Sequence, residues 1–110
     1  MLEEPGLYID GKSRSIWVDG KLRPDKLTDK ECKLVLFLAS CNGAICTRKE
    51  TVRAIYECVY DAKIDDGRLD AVVGRARKKI EDNPRDSRFL ITINRHGHRL
   101  QGYNGKAKEG

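Results

Sequence analysis

The sequence predicts one α+β domain in which a small antiparallel sheet precedes three helices and a β-hairpin ends the fold. Three observations lead to this fold class. Two Asp-Gly pairs divide an N-terminal segment rich in β-branched and aromatic residues, three segments with helical apolar spacing follow, and alternating segments come last. A chain of 110 residues is long enough for one modest core.

The N-terminal strands are predicted from the segment LYIDGKSRSIWVDGKLR. Asp10-Gly11 and Asp19-Gly20 are typical hairpin turns, because both residue types tolerate the backbone conformations that such turns require. Pro24 ends the strand-like region. We therefore expect short antiparallel strands joined by tight turns.

The first two helices are indicated by their start signals. Thr28 with Glu31, and Thr47 with Glu50, have the T-x-x-E spacing of a capping box, in which each side chain binds an otherwise unpaired amide of the first helical turn. Asn42-Gly43 separates the two segments, and both residues favour the backbone conformation that ends a helix.

A third helix is predicted to open at Arg68, after a polar loop at residues 60–66 whose final aspartates, Asp65 and Asp66, can cap it. Apolar residues then recur at helical spacing and define a buried face. They are Leu69, Val72, Val73, Ala76 and Ile80.

The opposite face of this helix is unusual for a merely solvated surface, because Gly74 costs about 1 kcal/mol relative to alanine within a helix. It lies with Ala71, Arg75 and Lys78 on that face, where small residues leave room for a ligand. Arg75 has no acidic residue four positions away in either direction. By contrast, Arg77 can pair with Glu81 and Lys78 with Asp82, and we expect a structural role for Arg77.

Basic charge is concentrated near this helix. The chain has a net charge of +5, but residues 1–31 carry six basic and seven acidic residues, whereas residues 75–99 carry eight basic and three acidic residues. Such a bias points to a polyanion, and nucleic acid is favoured over a membrane because the helix has no bulky apolar exposed face. No signal peptide or membrane span is visible, which indicates a cytoplasmic protein.

The four cysteines have neither metal-site nor disulfide-scaffold spacing, so reduced thiols that pack as small hydrophobes are expected. His96 and His98 form only a weak H-x-H pattern, and we expect no metal or other cofactor. No catalytic motif is present, and the chain is predicted not to be an enzyme.

The last predicted elements are a strand in FLITIN, a turn at Arg95-His96-Gly97 and a return strand in HRLQGY. The order of strands, three helices and a basic hairpin fits a winged helix-turn-helix, with an N-terminal small antiparallel sheet and a C-terminal β-hairpin wing.

Four blocks of the sequence also closely resemble the OmpR/PhoB-type DNA-binding output domain of bacterial response regulators. The blocks are LTDKECKLVLFL, GAICTRKETVRAIY, RLDAVVGRARKKI and FLITINRHGHRL, and the resemblance extends from Leu7 to Tyr103. It departs from the family at Gly74 and Ala76, where larger residues are usual, and at His98, where tyrosine is usual.

This resemblance implies sequence-specific binding of double-stranded DNA, with a recognition helix at about residues 66–82 in the major groove and a wing at about 94–98 in the minor groove. Arg75 matches a base-contacting position, and arginine can pair with two acceptors of guanine. The full set of expected DNA-binding residues is Arg68, Ala71, Gly74, Arg75, Lys78, Lys79, Thr92, Asn94, Arg95 and His96.

The resemblance also implies partners and a domain division. We expect a linker or tail at residues 1–6, the DNA-binding domain at 7–103 and a flexible tail at 104–110. Asp61 and Lys63 lie in a loop that can contact RNA polymerase in the family. A receiver domain outside these residues and a dimer on tandem half-sites are further expectations. Two alternatives remain open, namely a winged-helix protein-interaction module and a thiol-based metal- or redox-sensing regulator.

Overall fold

A computed structural model describes residues 5–94 and 96–104, and within these residues three helices lie between two small antiparallel sheets. The expected linker at residues 1–6 and the tail at 104–110 therefore lie largely outside the described residues, as does Arg95. In chain order, the elements are β1 Leu7–Ile9, β2 Ile16–Val18, β3 Lys21–Leu22, α1 Asp29–Ser40, β4 Cys46–Thr47, α2 Arg48–Tyr56, α3 Ala62–Ile80, β5 Leu90–Ile93 and β6 Gly97–Leu100.

The N-terminal sheet has the strand order β1-β2-β3, and all its pairings are antiparallel. The predicted tight turn at Asp19-Gly20 is present, with φ angles of 53° and 80°. Asp10-Gly11 instead begins a longer connection, residues 10–15, in which Arg14 has a φ of 62°. Alternation sets its inner face, because Leu7, Ile16 and Val18 are buried whereas Trp17 is partly exposed. The predicted strand region is confirmed.

The second sheet contains a strand that the sequence did not indicate. Its order is β4-β6-β5, so the two-residue strand β4 extends the predicted hairpin. Gly97 permits this contact, because a Cβ atom there would lie 2.0 Å from the carbonyl oxygen of Cys46. The sheet thereby connects the start of α2 to the hairpin.

Helices α1 and α2 begin where the capping boxes predict. Thr28 accepts a hydrogen bond from the amide of Glu31, and the Glu31 carboxylate accepts one from the amide of Thr28. Thr47 and Glu50 form the same pair at α2. Both predicted capping boxes are confirmed.

Helix α3 begins six residues earlier than predicted, at Ala62 instead of Arg68. Asp61 is its N-cap and accepts a hydrogen bond from the Lys63 amide at 3.0 Å. Asp65 lies within the first turn, is buried, and accepts from the Asp61 amide at 2.7 Å. The expectation that residues 60–66 form a loop was wrong because Asp61 and Asp65 cap a helical turn that has no apolar stripe.

One hydrophobic core lies between the helices and the inner faces of both sheets. Helix α1 contributes to it from the centre, since it contacts α2, α3, β1 and β6. The predicted stripe of α3 is buried throughout. The core residues are Leu7, Ile9, Ile16, Val18, Leu27, Cys32, Leu34, Val35, Leu38, Cys46, Val52, Ile55, Leu69, Val72, Val73, Ala76, Ile80, Phe89, Leu90 and Leu100.

Candidate nucleic-acid interface

The outer face of α3 is smooth in its middle and basic toward its C-terminal end. At Gly67 and Gly74, an added Cβ would meet no atom within 4 Å, so these positions border open space. Ala71 is exposed between them. Arg75 and Lys78 follow on the same face. An α-helix with such a face can lie against a groove of double-stranded DNA without a steric barrier.

Arg75 has a partner that the sequence did not predict. Its Nε atom lies 3.4 Å from Oε2 of Glu31 in α1, and its side chain is 55% exposed. This is a charge contact and not a hydrogen bond, because Oε2 of Glu31 has no hydrogen-bond partner among the described residues. The outer part of the guanidinium remains open to solvent.

Lys78 is exposed, and the pair with Asp82 that the i, i+4 spacing allows is not formed. Asp82 instead accepts a hydrogen bond from Arg23 at 2.6 Å. Within the described part of the chain, no ion pair of Lys78 is found. Its ammonium can therefore bind a phosphate without breaking a protein contact.

Lys79 lies beside the exposed face but points to the protein. Its Nζ donates to Oε1 of Glu31 at 2.7 Å, and its side chain is only 23% exposed. Burial raises the pKa of Glu31, but hydrogen bonds from Lys79 and from the Thr28 amide lower it more, so the net pKa lies below the ordinary value. Lys79 compensates the charge of this buried carboxylate.

Arg68 is also held by protein groups. Its Nε donates to Asp65 at 2.7 Å, and its guanidinium lies 3.8 Å from the centre of the Tyr56 ring. Its Nη2 lies 3.4 Å from the sulfur of Cys58. Arg68 therefore fastens the α2–α3 connection, although part of its side chain is exposed.

Arg77 connects α3 to the hairpin. Its Nε and Nη2 donate to the carbonyl oxygen of Leu90 at 3.1 and 3.0 Å, and Nη2 also donates to Oγ1 of Thr92 at 2.5 Å. The predicted structural role is confirmed. The predicted partner, Glu81, was wrong. The Glu81 carboxylate instead accepts hydrogen bonds from the amides of Arg88, Phe89 and Leu90.

The β5–β6 hairpin forms the wing. Thr92 is exposed, Asn94 adopts a left-handed conformation with φ 44° in the turn, and His96 is exposed beyond it. Arg95, the remaining expected wing contact, lies outside the described residues. His98 points inward and is 2% exposed. Burial, followed by the charges of Arg48 and Arg77, lowers its pKa to about 4, so it is neutral at physiological pH.

The sequence reasoning missed Arg48, which fixes α2 against α3. Its Nε donates to Asp66 at 3.0 Å and its Nη2 donates to Asp70 at 2.7 Å. Burial lowers the pKa of Arg48, but the hydrogen bonds to both aspartates raise it by more than burial lowers it. The net pKa therefore lies above the ordinary value, and the charged form is favoured. Asp66, predicted as a cap, serves this network and also accepts from the Tyr60 hydroxyl. No short-range pattern marks these partners, which are 18 and 22 residues from Arg48.

The cysteines differ from the expectation of four reduced thiols. The structure pairs Cys41 and Cys46 as a disulfide, whereas Cys32 and Cys58 are free. The pair lies between the end of α1 and β4, where the turn at Asn42-Gly43 brings the two residues together. Among residues 5–94 and 96–104, no group of three potential metal ligands is found.

The predicted interface therefore separates into three groups. Ala71, Gly74, Arg75 and Lys78 share the open face of α3, and Thr92, Asn94 and His96 share the wing. Arg68 and Lys79 bind protein carboxylates. Of the two expected polymerase contacts, Asp61 ends the α2–α3 connection as the N-cap of α3, and Lys63 lies in the first turn of that helix. Each helix among the described residues is too short or too polar to span a lipid bilayer.

This combination of a central helix α1, the pair α2–α3 and a β-hairpin beside α3 defines a winged helix-turn-helix of the OmpR/PhoB type. Residues 23–100 match the family model described as transcriptional regulatory protein, C terminal. The chain belongs to this family.

Individual relatives agree with this assignment. The transcriptional regulatory protein AfsQ1 of Streptomyces coelicolor is 33% identical over 95 residues, which are 86% of this chain and 40% of AfsQ1. The response regulator DrrB, an OmpR/PhoB homolog of Thermotoga maritima, is 31% identical with a TM-score of 0.69, over 88% of this chain and 45% of DrrB.

The DNA-binding domain of Klebsiella pneumoniae RstA, solved in complex with the RstA box, shares the fold with a TM-score of 0.72 and 23% identity. That match covers 90% of this chain and 94% of the RstA domain. The chain thus spans less than half the length of AfsQ1 and DrrB, but nearly all of an isolated output domain.

Proposed function

We propose that this chain binds specific sequences of double-stranded DNA as the output domain of a bacterial transcription regulator. Helix α3 lies in the major groove, and the β5–β6 wing reaches the neighbouring minor groove. The observation that carries this proposal is the open face of α3. On this face the exposed cations Arg75 and Lys78 lie beside the small residues Ala71 and Gly74, which leave room for DNA. A role on DNA also agrees with a cytoplasmic location.

The two cations have different chemical roles. The guanidinium of Arg75 can present two donors to O6 and N7 of guanine, which discriminates against another base by about 1–3 kcal/mol. The ammonium of Lys78 is a point charge suited to a phosphate. The small residues between the first and last turns let the helix backbone approach the base edges closely.

The proposal is tested by selecting binding sites from a randomised 40-base-pair library, followed by binding titrations on the selected duplex and on a random duplex of equal length. A tighter complex with the selected duplex is expected. The Arg75→Ala variant should lose about 1–3 kcal/mol on the selected duplex and little on the random one. Failure to enrich any sequence would contradict the proposal.

A salt titration separates this proposal from a winged helix that binds only protein. Contact with about five phosphates gives a slope of log affinity against log salt near −4 to −5, because each contact releases about 0.9 counterion. A protein-binding module would show no such slope with DNA. The charge concentrated at residues 75–99 favours the DNA-binding alternative.

We infer a second contact, with RNA polymerase, at the α2–α3 connection. Val59 is 90% exposed and Ile64 is 64% exposed, and both lie close in sequence to Asp61 and Lys63. A contiguous apolar patch rimmed by polar groups is typical of a protein-binding surface, and we propose that these two side chains contribute to one. A partner protein can contact Val59 and Ile64 without displacing the buried side chains that hold α3 in place.

A test of this contact must preserve the α3 cap, because Asp61 is the N-cap residue. Asp61→Asn keeps a capping oxygen and removes the charge, and Lys63→Gln removes the neighbouring charge. The double variant should bind DNA normally but activate transcription less in a reconstituted assay at equal promoter occupancy. Unchanged activation would contradict the contact.

The greater length of AfsQ1 and DrrB supports the proposal that the complete regulator carries a receiver domain outside this segment. We also propose, from the family resemblance, that output domains bind tandem half-sites as a dimer. Selected library sequences test the second proposal directly, because a dimer enriches two half-sites about one helical turn apart. A single enriched half-site would instead indicate a monomer.

A further inference from the structure

Glu31 is buried more completely than its capping role requires. It is 0% exposed, and its Oε1 accepts from the Thr28 amide at 3.0 Å and from Lys79 at 2.7 Å. Its Oε2 faces Nε of Arg75 at 3.4 Å. Burial of an ionised carboxylate away from water costs free energy unless cations or hydrogen-bond donors surround it. The local fold therefore brings α1 and the basic end of α3 together around this group.

The second capping box of the same chain shows that this arrangement is not needed to start a helix. Glu50 occupies the position in α2 that Glu31 occupies in α1, and it accepts from the Thr47 amide at 2.8 Å. Its side chain is exposed, and no cation is found to pair with it in the described part of the chain. Capping alone therefore does not explain why Glu31 is buried and contacts two cations.

The geometry at Arg75 indicates a further role for Glu31. Contact with Glu31 is made through Nε, the guanidinium nitrogen nearest the helix, while the side chain remains 55% exposed. None of the described residues accepts a hydrogen bond from its terminal nitrogens. Those two nitrogens are the pair that can donate to O6 and N7 of guanine.

We propose that Glu31 is a positioning residue for DNA recognition, which holds the Arg75 guanidinium so that its terminal nitrogens face the bases. Lys79 donates to the other carboxylate oxygen, Oε1, and favours the ionised form of the buried group. This inference rests on the proposed function of Arg75. Ordering the side chain before binding reduces the entropy lost in the complex, which corresponds to about threefold to tenfold in affinity.

The first test compares Glu31→Gln with the matched control Glu50→Gln. Glutamine can replace glutamate in a capping box, so both variants keep a helix start and lose one charge. Glu31→Gln should reduce the ratio of affinities for the selected and random duplexes by about threefold to tenfold. Glu50→Gln should leave this ratio unchanged, and in an Arg75→Ala background Glu31→Gln should have no further effect on it.

Equal ratios for Glu31→Gln and wild type would overturn the inference while leaving the DNA-binding proposal intact. A wild-type protein that prefers no sequence would overturn both. Equal losses on the two duplexes, or a loss that persists without Arg75, would assign Glu31 a purely structural role and would also overturn the inference.

A second measurement needs neither DNA nor a variant. Relaxation of the Arg75 Nε–H group by NMR reports how ordered the guanidinium is in the free protein, and exposed Arg85 provides the reference. The inference predicts a clearly higher order parameter for Arg75 than for Arg85. Equal mobility of the two groups would overturn it even if Glu31→Gln proved too unstable to study.

Discussion

Arg77 in α3 donates two hydrogen bonds to the carbonyl oxygen of Leu90 in the first wing strand, at 3.1 and 3.0 Å. The pair joins α3 to the wing, which follows it in the chain after the turn-rich segment 81–89. Leu90 is fully buried, so its carbonyl has no ready access to water. This contact contributes to the position of the wing relative to α3, together with the Glu81 carboxylate and the pairing of β4 with β6.

Replacing Arg77 by methionine should lower the free energy of unfolding by about 1–3 kcal/mol, because the variant leaves the Leu90 carbonyl without a donor. Urea unfolding measures this change. Arg75→Met is the control, since the exposed Arg75 makes only a charge contact and should be affected less. Similar losses in the two variants would show that the wing is held by other groups.

Glu81 organises the start of the wing through backbone amides. Its buried carboxylate accepts from Arg88, Phe89 and Leu90. Glu81→Gln should destabilise the fold by about 2–3 kcal/mol, because an amide group introduces a donor toward these amides and leaves at least one of them unpaired. Asp82→Asn, which alters an exposed pair with Arg23, should cost less than about 1 kcal/mol. Thermal unfolding of both variants would reveal whether this order is reversed.

His98 should make the fold sensitive to mild acid. Its pKa is lowered from 6.5 to about 4 in the folded state, so below pH 6.5 the unfolded chain binds a proton that the folded chain does not. Stability is therefore complete above pH 6.5 and is lost as pH falls toward 4. The expected loss between pH 7 and pH 5 is about 2 kcal/mol.

Urea titrations of wild type, His98→Phe and His96→Gln at these two pH values measure this effect. His98→Phe should remove most of the pH dependence, whereas His96→Gln, at the exposed wing, should retain it. Asp19 does not interfere, because a hydrogen bond from Arg88 lowers its pKa to about 2, and it loses its contribution only below about pH 4. If the free energy of unfolding of His98→Phe falls between pH 7 and pH 5 as much as that of the wild type, a group other than His98 causes the acid sensitivity.

Lys78→Ala should weaken binding to selected and random duplexes alike and reduce the salt slope by about one unit, since one phosphate contact is removed. Lys33→Ala removes the same charge from α1, where the ammonium lies 3.4 Å from Asp29, and should leave the slope nearly unchanged. Equal effects of the two variants would mean that net charge, and not the position of Lys78, governs affinity.

Much of the framework followed from local sequence signals. The apolar spacing of Leu69, Val72, Val73, Ala76 and Ile80 predicted the buried face of α3, because burial requires one stripe at the helical period. The two T-x-x-E pairs predicted the starts of α1 and α2, and the Asp-Gly turns predicted the first sheet. These signals are legible because each cause lies within a few residues of its effect.

Only the tertiary structure decided which charges are available to a ligand. Spacing along one helix suggested that Arg75 has no partner and that Lys78 pairs with Asp82. Instead, Glu31 reaches Arg75 and Lys79 from a different helix, more than 40 residues away in the chain. The start of α3 was displaced for a related reason, since the buried side chain of Asp65 accepts the amide of Asp61 and binds Arg68. Buried carboxylates choose partners by proximity in the folded core, and no local periodicity encodes that proximity.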